Sequence, residues 1–211
     1  MTSALHISAN QWRTSVLKAC VGTLVARGIA EDIADACLAL LALQQNPLQP
    51  LLGCLNTFHP SSSDVDGVPD WPDVGATAHL GSLQVLKFGP SIIDMAQAGI
   101  VCNCDIDSMI LLLGLAQARL HSHDMQLECS RDGTNWQTID GAISSGNVHS
   151  GPETCWLRAQ KAQSRTPLNM TNLPQPRRED WVSLQQFADQ IMVPADDSNR
   201  ADAGAGLTDN D

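Results

Sequence analysis

Residues 107–139 read DSMILLLGLAQARLHSHDMQLECSRDGTNWQTI, and the spacing of the apolar residues changes within this stretch. Up to Leu120 the apolar residues follow the pattern of a buried helix, which Asp107 or Ser108 can cap at its N-terminus. From Met125 apolar and polar residues alternate, which is the period of a β-strand. The stretch therefore predicts a helix followed by a strand and places the chain in the α+β class.

The strand at Met125 is predicted to continue into a β-hairpin. Arg131-Asp132-Gly133 supplies turn residues, and residues 136–139 resume the extended pattern. Residues 154–159 predict a further strand, which gives a small antiparallel β-sheet. The string from Ser130 to Trp136 also resembles strand turns of galactose-binding jelly-roll modules. Because such a module needs about eight strands, an ordinary hairpin is the better interpretation.

Helices are predicted on both sides of this central part. Ser8 begins a capping-box pattern for a first helix that Gly28 can close. A second helix from Glu31 to about Gln45 follows at once, so the pair predicts an antiparallel helical hairpin. The last helix begins near Glu179, and Pro194 ends it.

The segments between these helices and the sheet are less regular. A short helix is predicted over residues 48–55, a brief strand at Leu83, Val85 and Phe88, and a helix over residues 90–98 that Gly99 closes. Four regions follow from composition: an N-terminal helical region over 1–56, a polar loop or linker over 57–81, an α+β core over 82–194, and an acidic tail containing Gly and Ala over 195–211.

Charge and cysteine content limit the classes of partner. The 211 residues contain 12 Lys and Arg against 23 Asp and Glu, a net charge of −11, which argues against nucleic-acid binding. The most apolar stretch, residues 109–115, is far shorter than a membrane helix needs, so no membrane association is expected. Seven cysteines without a secretory leader predict free thiols in a cytoplasmic protein.

The C-terminal run resembles a known bacterial family. The run from Val193-Pro194-Ala195 through Ser198 and Arg200 to AGAGLTDND at residues 203–211 is similar to the C-terminus of the bacterial family called domain of unknown function 3726. The order of the preceding parts is similar as well: a helical pair around Gly28-Ile29-Ala30-Glu31, an α-then-β portion with an Asp-Gly hairpin, and a helix. The resemblance implies a family and no activity.

The tail also supplies candidate ligand-binding residues. The carboxylates of Asp209, Asp211 and the chain terminus are hard oxygen ligands, as is the Asn210 carbonyl, and they suit a divalent cation, an arginine or an amine. With Arg200 and Thr208 they predict a tail that folds back over a pocket of its own or a neighbouring subunit. The alternative is a solvated acidic end.

Two other groups of residues could bind a metal ion. Cys102-x-Cys104 and His121-x-His123 combine sulfur and nitrogen ligands, but a predicted helix separates them, so no metal site is assigned. Residues Asp64, Asp66, Asp70 and Asp73 lie near His59 in the polar loop, without the order of a calcium-binding loop. Solvated loop acids are the better interpretation.

The sequence therefore leaves the reaction open. No serine or cysteine stands in a recognisable nucleophile motif, and no glycine-rich phosphate loop occurs, so catalytic residues and cofactors stay unassigned. The leading hypothesis is a cytoplasmic bacterial protein that acts on or binds a small polar metabolite, with the tail contributing to the site. The second hypothesis is a non-catalytic accessory subunit or oligomerisation module, which binds a partner protein or further copies of itself.

Overall fold

The computed structural model describes residues 6–58, 73, 75–139, 153–162, 168 and 170–191. Within these residues the chain forms six α-helices, five strands and one 3-10 turn at His121–His123. The helices are α1 Ala9–Gly22, α2 Arg27–Ala42, α3 Leu48–Thr57, α4 Val85–Gln97, α5 Met109–Leu120 and α6 Arg178–Asp189. The strands are β1 Thr77–Leu83, β2 Val101–Ile106, β3 Met125–Ser130, β4 Gln137–Thr138 and β5 Glu153–Lys161.

The α+β class is confirmed, and the sheet is mixed rather than antiparallel throughout. Its strand order is β1-β2-β5-β3-β4, with β1 parallel to β2 and every other pair antiparallel. The parallel pair arises because α4 crosses over between β1 and β2, which makes a βαβ unit. Strand β2 was not predicted, and its core-facing residues are Cys102, Cys104 and Ile106.

Helices cover one face of the sheet in two layers. Helices α4 and α5 contact the strands, and α2 packs on α5 from the other side. Helix α1 packs on α2, and α6 packs on α1 and α3. The buried core is continuous from Trp12 in α1 to Leu157 in β5. The position of α6 therefore depends on a chain of helix contacts that starts at the sheet.

The predicted N-terminal helical pair is confirmed, although its turn differs. Ser8 and Gln11 form the capping box of α1. The helix ends at Gly22, before the predicted Gly28, because Leu24 adopts left-handed backbone with φ of 67°. The Val25 N–H donates to the Cys20 carbonyl at 3.0 Å, which satisfies an end carbonyl of the helix. Gly28 lies in the first turn of α2.

The segment after β1 is helical where a strand was predicted. Helix α4 starts at Val85, so Val85 and Phe88 belong to a helix, and Pro90 lies inside it. Because proline inside a helix is costly, Pro90 was assigned to the first turn of a helix. The start of the helix was therefore predicted five residues too late. The predicted closure at Gly99 is seen in its φ of 87°.

The hairpin and the last helix follow the sequence. Strand β3 pairs with β4 through Glu128 with Thr138, and Gly133 takes positive φ in the turn between them. Strand β5 covers the predicted strand at residues 154–159. Helix α6 begins at Arg178, next to the predicted Glu179, and ends at Asp189, earlier than predicted. Helix α3 reaches Thr57, and β1 already begins at Thr77. Of the predicted polar loop over 57–81, residues 59–72 and 74 lie outside the described residues, as does the tail.

None of the described helices has the length and apolar character to cross a membrane.

Two glycines allow close approach of the helices. A Cβ on Gly114 of α5 would lie 2.6 Å from the Ala36 carbonyl oxygen and 2.9 Å from the Leu40 side chain of α2. A Cβ on Gly22 of α1 would lie 2.1 Å from the Phe187 carbonyl oxygen of α6. Because real Cβ atoms do not approach backbone so closely, both helix pairs require glycine at these positions.

Helical glycines should therefore differ in their response to alanine. Gly114→Ala is expected to reduce the free energy of unfolding by about 1–3 kcal/mol or more, because the added methyl group overpacks the α2–α5 contact. Gly28→Ala should increase it by up to about 1 kcal/mol, since nothing lies within 4 Å of its Cβ position and alanine favours a helix. Urea unfolding measures both values. Equal stability of the two variants would contradict the close α2–α5 packing.

Candidate functional site

A cleft of about 430 Å³ lies between α3 and α6. Helix α3 lines it with one stripe of residues: Gln49, Leu52, Gly53 and Asn56. Helix α6 lines it with Asp180, Ser183, Gln186, Phe187 and Gln190. The spacing of three, four and seven residues along α3 places its four residues on one side of the helix. The lining is mostly polar, although both helices contribute to the core.

Asp180 is the charged residue of this cleft, and its residue surface is only 6% exposed. The Gln49 side-chain amide donates to its Oδ1 at 2.6 Å, and the Arg177 guanidinium donates to its Oδ2 at 2.9 Å. Asp180 also lies in the first turn of α6, where a negative charge interacts well with the helix dipole. The carboxylate thus joins α3 to α6 and faces the cleft.

The remaining polar groups of the cleft are side-chain amides and one hydroxyl group. Asn56, Gln186 and Gln190 are exposed amides, and an amide both donates and accepts hydrogen bonds. The Ser183 hydroxyl donates to the Glu179 backbone carbonyl at 3.1 Å, so its proton is engaged within the helix. The cleft lining includes no histidine, cysteine or lysine that could activate this hydroxyl.

The two walls of the cleft are held from outside. Gly22 brings α1 against the backbone of α6 at Phe187, and the edge of the Trp12 ring meets the Trp181 ring with centroids 5.1 Å apart. These contacts fix α6 on the side away from α3. The cleft geometry therefore comes from rigid helices, which position a site more precisely than loops do.

Comparison of the chain with protein-family models, with curated proteins and with solved structures finds no match. The resemblance to domain of unknown function 3726 depends chiefly on the C-terminal run, and family membership stays a prediction.

The predicted ligand-binding residues of the tail lie outside the described residues. They are Arg200, Thr208, Asp209, Asn210 and Asp211. The described chain ends at Ile191, directly after Gln190, which lines the cleft.

The cysteine and histidine pairs do not come together. Cys102 and Cys104 point from β2 into the core, whereas His121 and His123 lie in the 3-10 turn after α5. The two pairs belong to opposite ends of α5, as its predicted length implied. The described part of the chain holds no group of three His, Cys, Asp or Glu suited to a metal ion. Among the loop acids only Asp73 is described, and its backbone carbonyl accepts a hydrogen bond from the Ala76 N–H.

All seven cysteines are buried free thiols, as the sequence predicted. Burial raises the pKa of Cys102 and of Cys129 to about 11, which disfavours the reactive thiolate. The Cys54 thiol donates a hydrogen bond to the Asp107 carboxylate, with 3.7 Å between Sγ and Oδ2. Burial raises the pKa of Cys54 more than that of Cys102 or Cys129. None of these thiols has the environment of a nucleophile.

Asp107 is a half-buried carboxylate with a structural role. Its Oδ1 accepts the Val85 N–H at 2.9 Å, so it caps α4 from the loop that follows β2. Ser108 caps α5 in turn by accepting the Leu111 N–H at 3.4 Å. Burial raises the pKa of Asp107 above 3.8, against the opposing effect of these hydrogen bonds. Asp107 and Ser108, the two predicted cap residues, are therefore both helix caps: Asp107 caps α4 and Ser108 caps α5.

The outer face of the sheet is a second polar surface, and its aromatic rings already have partners. The Arg158 guanidinium stacks 4.1 Å from the centre of the Trp136 ring and pairs with buried Glu128 at 2.9 Å. The Trp156 ring meets the His79 ring edge-on, and Gly133 packs on its face.

Sequence reasoning missed the cleft because it singled out charged and nucleophilic residues. One sequence feature that could have indicated the cleft is the C-terminal helical segment, which has an acidic first turn and the amides Gln185, Gln186 and Gln190. A second indication was Gly53, a glycine in the interior of helix α3. Neither feature shows which helices face each other across the cleft, because residues 49 and 180 are distant in sequence.

Asp107 and Asp132 should show opposite pH dependence. Because the folded-state pKa of Asp107 is raised, its contribution to the free energy of unfolding falls as pH rises from 3.8 through that pKa. Asp107→Asn should remove this fall, so its stability relative to the natural protein should increase as pH rises from 3.8 through the raised folded-state pKa and then stay level. Urea unfolding over this range measures the difference.

Asp132→Asn is the matched control. Backbone N–H groups of Asn135 and Thr134 donate to Asp132 and lower its pKa. Its stabilising effect is therefore present above 3.8 and is lost only as pH falls through the lower folded-state pKa. The Asp132→Asn difference should be constant where the Asp107→Asn difference changes. If the stability differences of both variants changed with pH in the same way, the opposite pKa shifts of Asp107 and Asp132 would be refuted.

Proposed function

We propose that the chain is a binding protein for a small polar molecule, which it holds without catalysis in the α3–α6 cleft. The observation that carries this proposal is the nine-tenths-buried Asp180 carboxylate, positioned by Gln49 and Arg177 in a cleft lined by exposed amides. A few fixed polar groups on rigid walls are typical of small-molecule sites. The absence of an activated nucleophile or base among the cleft residues favours binding over reaction.

We further propose that the tail contributes to the same site. In sequence, residues 192–211 follow directly on Ile191, the neighbour of the cleft-lining Gln190. Arg200, Thr208, Asp209, Asn210 and Asp211 would supply a second set of polar groups. A cytoplasmic location accords with seven unpaired thiols, which persist in reducing compartments.

Ligand-dependent stabilisation tests the proposal. The full-length protein is heated with a panel of sugars, sugar phosphates, amino acids, nucleosides and divalent metals. A ligand at about one hundred times its Kd should raise Tm by roughly 5–10 °C, because it binds only the folded state. Asn56→Ala should reduce this shift, whereas Asn10→Ala, an exposed amide on α1 outside the cleft, should leave it unchanged.

Deletion of Leu207 to Asp211 tests the tail separately. The shortened protein should keep its own Tm and lose part of the ligand-dependent shift. An unchanged shift would place the tail outside the site, and no shift with any compound would contradict small-molecule binding altogether.

A second candidate function is a non-catalytic accessory subunit or oligomerisation module. Leu24 is 72% exposed and Ile191 is 38% exposed. The two are brought to the same end of the molecule by the contact of Gly22 with α6. Exposed apolar side chains at one end of a molecule favour a protein partner. Light scattering of the natural protein should then give a mass above that of one chain. Leu24→Ser should reduce this mass, whereas Val182→Ser, a control at an exposed residue of α6, should leave it unchanged.

A further inference from the structure

We propose that the α3–α6 cleft accepts a neutral hydroxylated ring, such as a monosaccharide or a cyclic polyol, and that Gly53 determines how closely this ring approaches α3. The inference rests on the proposed binding function and specifies its ligand class. It follows from the hydrogen-bonding groups, the charge balance, the apolar wall and the open space at Gly53.

The hydrogen-bonding groups of the cleft match hydroxyl groups. Asn56, Gln186 and Gln190 carry side-chain amides that both donate and accept. A hydroxyl group also does both, so each ligand hydroxyl can donate to an amide oxygen and accept from an amide N–H. A ligand with donors only or acceptors only would use only half of the hydrogen-bonding capacity of each amide.

The charge balance favours a neutral ligand. Arg177 already pairs with the Asp180 carboxylate, and the described lining residues add no lysine or arginine that could bind a phosphate or carboxylate. A cationic ligand would compete with Arg177 and Gln49, which already bond both carboxylate oxygens. A ligand hydroxyl can donate to the carboxylate without displacing either partner, because each oxygen accepts more than one hydrogen bond.

The apolar part of the wall suits the carbon face of a ring. Leu52 of α3 and Phe187 of α6 line the cleft beside the amides, and both pack on the core. A hydroxylated ring presents C–H groups on its faces and hydroxyl groups on its rim. Such a ring can place a face on Leu52 or Phe187 while its rim bonds the amides.

Gly53 is the specific feature of this wall. It lies inside α3, where alanine would favour the helix, and nothing lies within 4 Å of its Cβ position. Gly22 and Gly114 allow neighbouring helices to approach, whereas no described neighbour requires Gly53. Its Cβ position opens into the cleft that it lines. We infer that the missing methyl group lets a ligand ring lie against the α3 backbone.

The experiment compares Gly53→Ala with Gly28→Ala. Both glycines are helical with open space at the Cβ position, but only Gly53 lines the cleft. Binding of glucose, galactose and myo-inositol, and of glucose 6-phosphate and inositol phosphate as anionic counterparts, is measured by NMR titration of the full chain. The natural protein should bind a neutral ring more tightly than its phosphate counterpart.

Gly53→Ala should melt at the same or a higher temperature and bind the neutral ring about tenfold or more weakly, because a methyl group occupies its place. Gly28→Ala should bind as the natural protein does. Equal binding by Gly53→Ala would overturn the role of Gly53. Tighter binding of glucose 6-phosphate or inositol phosphate than of the neutral rings, or binding only of an amino acid or nucleoside when the titration is extended to these compounds, would overturn the ligand class and leave the proposed binding function standing. No binding of any class would overturn both.

Discussion

The close approach of α2 and α5 is the constraint on which the rest of the fold depends. Gly114 allows α5 to lie against the backbone of α2 at Ala36, and α5 packs on the sheet on its other side. Helix α2 thereby forms the base on which α1 packs, and α1 carries α6 through the second close contact at Gly22. Because each helix is placed by the one beneath it, a shift at Gly114 would be transmitted to α6 and the cleft.

The cleft lies at the outer end of this series of contacts. Its two walls, α3 and α6, contact each other less extensively than α1 contacts α6, so a space stays open between them. Asp180 spans the space to Gln49 and limits how far the walls can separate. A paired, nine-tenths-buried carboxylate adds little net stability, since desolvation opposes the attraction of its partners. Its better-supported role is to fix the distance between the two helices.

The sequence predicts those parts of the fold that depend on local chemistry. The capping box at Ser8, the cap at Ser108, the turn at Gly133 and the closure at Gly99 each depend on residues within a few positions of one another, and all four are present. The left-handed Leu24 was missed because a branched apolar residue is disfavoured there, and only its neighbours make that conformation the best available. The boundary of α1 was therefore placed too late.

Elements fixed by distant contacts were not predictable in the same way. Strand β2 alternates buried and half-buried residues, but its parallel pairing depends on the crossover of α4, whose Pro90 suggested a later start. The candidate site has the same limitation. Asp180 and Gln49 are unremarkable as single residues in the sequence, and they become a site only when α1 sets α6 beside α3. Local patterns carry no information on that placement.

The charge of the cleft also constrains how the C-terminal tail can take part. Residues 195–211 contain five acids and one base, and the charged residue among the described lining of the cleft is Asp180, whose oxygens Arg177 and Gln49 already bond. Direct docking of Asp209 or Asp211 beside Asp180 would bring like charges together in a partly buried space, which is unfavourable. Contact through the neutral groups of Thr208 and Asn210, or through the hydroxyl groups of a bound ring, avoids that repulsion. A tail contribution is therefore more compatible with a ligand between tail and cleft than with the tail acting as the occupant itself.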